Sequence, residues 1–176
     1  MSKYRVVGLE EIKMGVVNTT TFAMPTTFTV IPNIVPGTAN LAVAVPTTKE
    51  YYVEDSDDPD IITIEAGAKS IEFATRDLAT TFMILALGGT SSGASVWKAS
   101  TTSEAVREKA LRIKTKTING HYMTFDIPRM QLGGSAALRF SNKNDTEPGQ
   151  LAFAGKIMRP VTSHGTPLPP IKGTRS

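Results

Sequence analysis

Residues 110–128, ALRIKTKTINGHYMTFDIP, carry the clearest structural pattern in this chain of 176 residues. In the first half of this stretch, uncharged residues at odd-numbered positions alternate with the cations Arg112, Lys114 and Lys116. A period of two is typical of a strand with one buried face. Asn119-Gly120 favours the two positive φ angles of a tight hairpin turn. The side expected to be buried comprises Leu111, Ile113, Thr115, Thr117, Met123, Phe125 and Ile127. The stretch therefore predicts an antiparallel hairpin.

Shorter alternating runs extend this pattern over most of the chain. After the hairpin, strands are expected around Ala136–Phe140 and Leu151–Ile157, with the polar loop 141–149 between them. In the first half, the strands expected from the sequence cover residues 4–14, 27–31, 41–45, 61–65 and 70–74. Prolines separate these runs, and proline is excluded from central strands. The chain is therefore predicted to be mainly β, an antiparallel β-sandwich or barrel.

One helix is expected, over about residues 76–88, in the sequence RDLATTFMILALGG. Asp77 is a suitable N-cap, and Gly88-Gly89 can end the helix. The apolar side chains between them leave little polar surface. Such a helix must be covered on nearly all sides, by its own sheet or by a neighbouring subunit.

Composition sets limits on size and class. The length suits one domain able to bury about 70% of its unfolded surface. We expect a single β domain over residues 1–158 and an extended, Pro- and Gly-rich tail, rather than a packed segment, over residues 159–176. There are no cysteines, which excludes disulfides and thiol chemistry, and the net charge of +3 is too small to indicate nucleic-acid binding. The longest fully apolar run, residues 82–87, is too short to span a membrane.

Catalytic motifs give little support for an enzyme. Residues 89–93, GTSSG, match the letters of the nucleophile elbow of hydrolases. That motif needs a strand before it and a helix after it, whereas here a helix comes first. His121 and His164 are the only histidines, too few for a triad or a histidine-rich metal centre. Asp77 could act as a general base, but its capping role accounts for it. We expect no catalytic site, cofactor or metal.

An acidic segment stands out because the chain as a whole is slightly basic. Five carboxylates lie within seven residues, at Glu54, Asp55, Asp57, Asp58 and Asp60. A twelve-residue calcium loop fails here, because the register that ends on Glu65 places Pro59 where glycine is needed. A solvated turn is the simplest interpretation.

The cationic row Arg112, Lys114 and Lys116 is the other candidate site. Three cations on one strand face could follow a phosphate backbone. Nucleic-acid-binding sheets also present aromatic rings for base stacking, and the spacing places none on this face, with Tyr4 and Tyr122 out of position. An exposed face whose charges prevent edge aggregation is the competing interpretation.

Taken in order, these features resemble the major tail tube proteins of long-tailed bacteriophages. The similar elements are the strand GLEEIKMGVV, the acidic turn EDSDDPDIITIEAGAKSIEF, the helix RDLATTFMILALGG, the hairpin RIKTKTINGHYMTFDIPRM and the strand GQLAFAGKIMRP. The resemblance covers about residues 4–160. It rests on the order of the elements, because none of them is a chemical signature.

The resemblance implies a structural virion protein. Six copies would form a ring, and stacked rings would form a tube that delivers DNA without binding it specifically. Partners would be other copies and the tail terminator, tape measure and tail tip proteins, in a virion tail assembled in the host cytoplasm. The acidic segment could connect subunits, with Arg112, Lys114 and Lys116 as one possible partner, or could line the lumen and repel DNA. The alternatives are a single-stranded nucleic-acid-binding β-barrel and another virion protein, such as a capsid decoration protein.

Overall fold

The computed structural model describes residues 8–52, 61–93, 95–101, 107–133, 137–140, 149–163 and 165–176. The strands of the first half are β1 (Leu9–Val16), β2 (Thr29–Ile31), β3 (Asn40–Val43), β4 (Thr47–Tyr51), β5 (Ile61–Glu65) and β6 (Lys69–Thr75). Helix α1 (Thr80–Leu87) follows. The remaining strands are β7 (Thr90–Ser91), β8 (Trp97–Lys98), β9 (Arg107–Thr115), β10 (Met123–Leu132), β11 (Ala137–Arg139), β12 (Gln150–Ile157) and β13 (Lys172–Arg175). The fold is mainly β with one short helix, as the sequence predicts.

Strands β9 and β10 form the predicted hairpin. Asn119 and Gly120 both have positive φ, 50° and 79°, so the turn has the expected geometry. Leu111 pairs with Ile127 and Ile113 with Phe125, which places these apolar residues on one face. The register shifts between Ile127 and Met130, where Pro128 cannot donate a backbone hydrogen bond.

The hairpin lies at the centre of a nine-stranded antiparallel sheet. The strand order is β2-β1-β9-β10-β12-β6-β3, with β11 beside β12 and β13 beside β10. Strands β2 and β3 are the two ends, and in the part of the chain that the structure describes they do not pair with each other. The sheet is therefore open, and of the two expected architectures the closed barrel is not formed.

Both halves of this sheet contribute to one apolar core, as the two layers of a sandwich do. Ile12 and Leu111 come from one half and Ile71 and Phe153 from the other, and each is at most 1% exposed. The Phe73 and Phe153 rings stack with their centroids 4.8 Å apart. Residues of the two end strands, β2 and β3, line one common cleft.

Helix α1 packs on the core but begins later than residue 76. Phe82 and Ala86 are its buried residues, and Met83, Leu85 and Leu87 pack against the core as well. The Asp77 side chain accepts a hydrogen bond from Ala79 N–H at 2.9 Å, within the segment that precedes the helix. Ala79, not Asp77, occupies the N-cap position, so the first four residues of the expected helix, 76–79, stay non-helical.

Residues beyond Arg159 are extended, but they return to the body of the protein. Pro160 is fully buried, and Leu168 packs against a second small apolar cluster formed by Val17, Phe22 and Ala110. The chain then ends in β13, which pairs with the first half of β10. His164 lies outside the described residues.

Candidate assembly surface

In the part of the chain that the structure describes, strands β4 and β5 form an arm that contacts mainly itself. All ten residues of the two strands are exposed. We call β4 and β5, together with residues 44–46 and 66–68, the arm. Strand β4, with the sequence TTKEY, was not expected from the sequence, because it has no apolar alternation.

The arm continues the β3–β6 strand pair without a change of register. Val43 pairs with Lys69 and Thr47 pairs with Glu65, so both strands advance by the same number of residues. Between these pairs, the Ala44 N–H donates to the Ala68 carbonyl at 2.8 Å. A side chain at Gly67 would overlap the Ala44 carbonyl, so the two strands approach closely at the base of the arm. The arm therefore extends along the axis of the β3–β6 pair.

Apolar side chains dominate the strand β5 side of the arm. Ile61, Ile62 and Ile64 are 54%, 57% and 73% exposed, and Tyr51 is also exposed. An isolated two-stranded hairpin has marginal stability in water. Fully burying one isoleucine is worth about 1.5–3 kcal/mol. A two-stranded arm with exposed isoleucines on both faces has the composition of an interaction surface.

Polar contacts on the arm are local. Lys49 and Glu65 form an ion pair at 2.7 Å across the two strands. Tyr52 donates a hydrogen bond to Glu50 at 2.6 Å. That hydrogen bond, together with repulsion by the Glu50 carboxylate, raises the pKa of the Tyr52 phenol above its ordinary value. Within the described residues, Glu50 has no cationic partner.

The five acidic candidates Glu54, Asp55, Asp57, Asp58 and Asp60 lie outside the described residues. They belong to the segment that joins Tyr51 to Ile61, the paired ends of the two arm strands. The expectation that they connect subunits, line a lumen or form a plain surface loop stays a prediction.

Two of the three cations of the predicted row have carboxylate partners in their own chain. Arg112 makes two hydrogen bonds to Asp126, at 2.6 and 3.0 Å. These bonds raise the pKa of Arg112 above its ordinary value, although burial opposes the shift. Lys114 contacts Glu10 at 2.8 Å, and this hydrogen bond raises the pKa of Lys114. Their charges are therefore offset before any partner binds.

Aromatic rings do accompany this row, contrary to the expectation from spacing. The Arg112 guanidinium lies 5.0 Å from the centre of the Phe28 ring, and the Lys114 ammonium lies 4.6 Å from that of Tyr122. Phe28 comes from the segment before β2, too far along the sequence for strand periodicity to reveal. These rings contact cations rather than forming a free stacking platform.

Lys116 differs from its two neighbours. It is exposed, and in the described part of the chain it has no ionic partner. Its side chain lies beside Gly8 at the rim of a cleft of about 840 Å3. We call this the β2–β3 cleft, because it lies between the two ends of the sheet. It is lined mainly by apolar residues, among them Val30, Ile31, Val35, Leu41, Ile113 and Phe125.

Candidate residues for other chemistry are dispersed. No group of three or more His, Asp or Glu side chains among the described residues could hold a metal ion. In the GTSSG stretch, Ser91 lies on the two-residue strand β7, and helix α1 precedes it. The His121 ring contacts the carbonyl oxygen of the final residue, Ser176, at 3.3 Å.

Comparison of the chain with models of known protein families and with curated proteins finds no match. Among the described residues, no helix is long and apolar enough to cross a membrane.

Proposed function

We propose that this protein is a structural subunit that polymerises as stacked rings into a bacteriophage tail tube, the conduit for genome delivery. In this proposal six copies form each ring, and DNA passes through without specific binding. The tail terminator, tape measure and tail tip proteins bind the ends and the interior of the tube. The protein acts in the virion tail after assembly in the host cytoplasm, and it needs no cofactor and performs no catalysis.

The exposed arm is the observation that supports the proposal. A subunit that stays monomeric gains nothing from a two-stranded ribbon that displays three isoleucines to water. A subunit that stacks head to tail can bury this ribbon against the next copy and repeat the contact indefinitely. Burying two of these isoleucines contributes about 3–6 kcal/mol per contact, whereas an exposed ion pair contributes about 0–1 kcal/mol. Apolar burial is therefore the main driving force in the proposed tube.

The rival function, binding of single-stranded nucleic acid, would use the Arg112, Lys114 and Lys116 row. Two of these three cations already form ion pairs within the chain, Arg112 with Asp126 and Lys114 with Glu10. A phosphate backbone would have to displace both carboxylates, which lowers the affinity that the row can supply.

Electron microscopy of the purified protein, across protein and salt concentration, tests the proposal. We expect hollow filaments or stacked rings above a critical concentration. The variant Ile62→Thr/Ile64→Thr keeps β-branched side chains and should raise that concentration at least about tenfold, because a tenfold change needs only about 1.4 kcal/mol.

The matched control is Val16→Thr/Val161→Thr, which alters two exposed valines away from the arm and should assemble like the parent. Monomers under every condition, combined with salt-sensitive binding of single-stranded DNA, would replace the tube with the nucleic-acid function. Assembly unaffected by the arm substitutions would remove the arm from the interface.

A further inference from the structure

The β2–β3 cleft lies between the outer edges of β2 and β3, and residues of the connecting segment 32–39 line part of it. Among the described strands, β2 pairs only with β1 and β3 only with β6, so each presents one unpaired edge. Val30 on one wall is 45% exposed, although the neighbouring Ile31 is almost fully buried. A strand edge with free backbone N–H and C=O groups can accept an added strand, and an apolar floor adds side-chain contacts.

The arm has the features that such an acceptor requires. Each of its two strands has an outer edge without a partner in the described structure, and isoleucines project from both of its faces. None of the residues that line the cleft belongs to the arm of the same chain. The unbroken register directs the arm along the β3–β6 axis, away from the lateral gap beside β3. Donor and acceptor therefore exist on one chain but do not meet within it.

The charges of the two surfaces are also complementary. Lys49 on the arm is paired with Glu65, and Lys114 near the cleft is paired with Glu10. Among the described charged residues of these two surfaces, Glu50 on the arm and Lys116 at the cleft have no ionic partner. The opposite charges of Glu50 and Lys116 favour one orientation of docking.

We propose that the β2–β3 cleft receives the arm of a second copy of this chain, which adds a strand to the open end of the sheet. This inference rests on the proposed polymerisation and names the acceptor site for it. A contact from one surface of a subunit to a different surface of the next is heterologous, and it extends along an axis unless rotation closes it.

Site-specific cross-linking tests this contact, and the absence of native cysteines makes each introduced thiol unique. Two single variants are mixed in equal amounts, Thr63→Cys on the arm and Val30→Cys in the cleft, and treated with a short bis-maleimide. The Thr63→Cys substitution leaves the three isoleucines of the arm unchanged. The control mixture replaces Val30→Cys with Val161→Cys, a valine of nearly equal exposure, 46% against 45%, that does not line the cleft.

We expect the arm–cleft mixture to give at least about tenfold more mixed dimer than the control, because docking raises the effective thiol concentration. Filaments that form normally but give equal yields for both mixtures would overturn the cleft assignment and leave the proposed tube function standing. Absence of both filaments and cross-linked dimers would overturn both. An arm–cleft dimer without filaments would support the contact and contradict the tube.

Discussion

Asp126 holds Arg112 in a two-bonded ion pair that is only partly open to solvent. The Asp126 side chain is 17% exposed, and the guanidinium also covers the Phe28 ring. Two parallel hydrogen bonds fix the position of the guanidinium, and the planar ring excludes water from one face of the pair. The residue that resembled a nucleic-acid contact therefore stabilises the hairpin of its own chain.

Asp126→Asn should lower the free energy of unfolding by about 1–2 kcal/mol, because Arg112 loses a charged acceptor in a half-buried setting. Urea unfolding followed by the fluorescence of the single tryptophan, Trp97, measures this loss. Glu65→Gln, which breaks the exposed Lys49–Glu65 pair, is the control and should change stability by less than about 0.5 kcal/mol. Equal losses of unfolding free energy in both variants would show that the half-buried setting does not strengthen the Arg112–Asp126 pair.

The partner of Arg112 shows what residue spacing could and could not reveal. The turn pairs Ile118 with His121, whereas further along Lys114 pairs with Thr124, so β9 uses one more residue than β10. Without this extra residue Arg112 would face Ile127, and the charged and apolar faces would conflict. The alternation predicted one buried face: Leu111, Ile113, Thr115 and Ile127 are buried as expected, whereas Met123 and Phe125 are half-buried and Thr117 is exposed. The alternation did not predict which residues pair across the hairpin, because the position of a bulge depends on contacts with other strands.

At the level of elements, the end of helix α1 is capped by side chains distant in sequence. Arg107 donates hydrogen bonds to the Ile84 and Leu85 carbonyls at 3.0 and 2.9 Å. The Trp97 ring N–H donates to the Gly88 carbonyl at 2.7 Å. A cation at this end also interacts favourably with the helix dipole. Gly88 was expected to end the helix. The donors to the last carbonyls of the helix, Arg107 and Trp97, could not be inferred from the local sequence.

Arg107→Met should destabilise the protein by about 1–2 kcal/mol, because helix carbonyls lose charged donors while the aliphatic bulk is kept. Urea unfolding gives the magnitude, and a red shift of Trp97 emission before the main transition would locate the loosening at the end of α1. Arg107→Lys keeps the charge with a different geometry and should lose less. Unchanged midpoint and emission in Arg107→Met would show that the cap contributes nothing.

Across the whole molecule, local patterns predicted the strands better than their arrangement. Alternating residues identified most of the sheet strands, because half-burial leaves a period of two in the sequence. The order of strands depends on contacts such as that of β12 with β6, which lie far apart along the chain. Strand β4 escaped prediction because its sequence, TTKEY, contains no alternating apolar residues, whereas the equally exposed β5 is rich in isoleucine. Strand β5 of the arm coincides with the strand expected over residues 61–65, but its partner β4, and with it the two-stranded arm that carries the functional proposal, was missed.

The acidic segment belongs to this larger scale, because Tyr51 and Ile61 at its two ends are the paired ends of the arm strands. If the arm connects subunits, its charge acts at that connection, and the variant Asp55→Asn/Asp57→Asn/Asp58→Asn should weaken assembly. Three exposed ion pairs at up to about 1 kcal/mol each could raise the critical concentration by roughly a hundredfold, and less where pairs are screened.

Salt distinguishes this charge effect from the apolar contribution of the arm. In light-scattering measurements of assembly across ionic strength, the parent should assemble less readily as salt weakens exposed ion pairs. The Asn variant should lose most of this dependence, whereas Ile62→Thr/Ile64→Thr should keep it at a higher critical concentration. Normal tubes from the Asn variant, combined with slower DNA passage, would instead favour the lumen wall, where the carboxylates would repel phosphates. The two substituted sets thus separate the charge that orients the contact from the apolar surface that stabilises it.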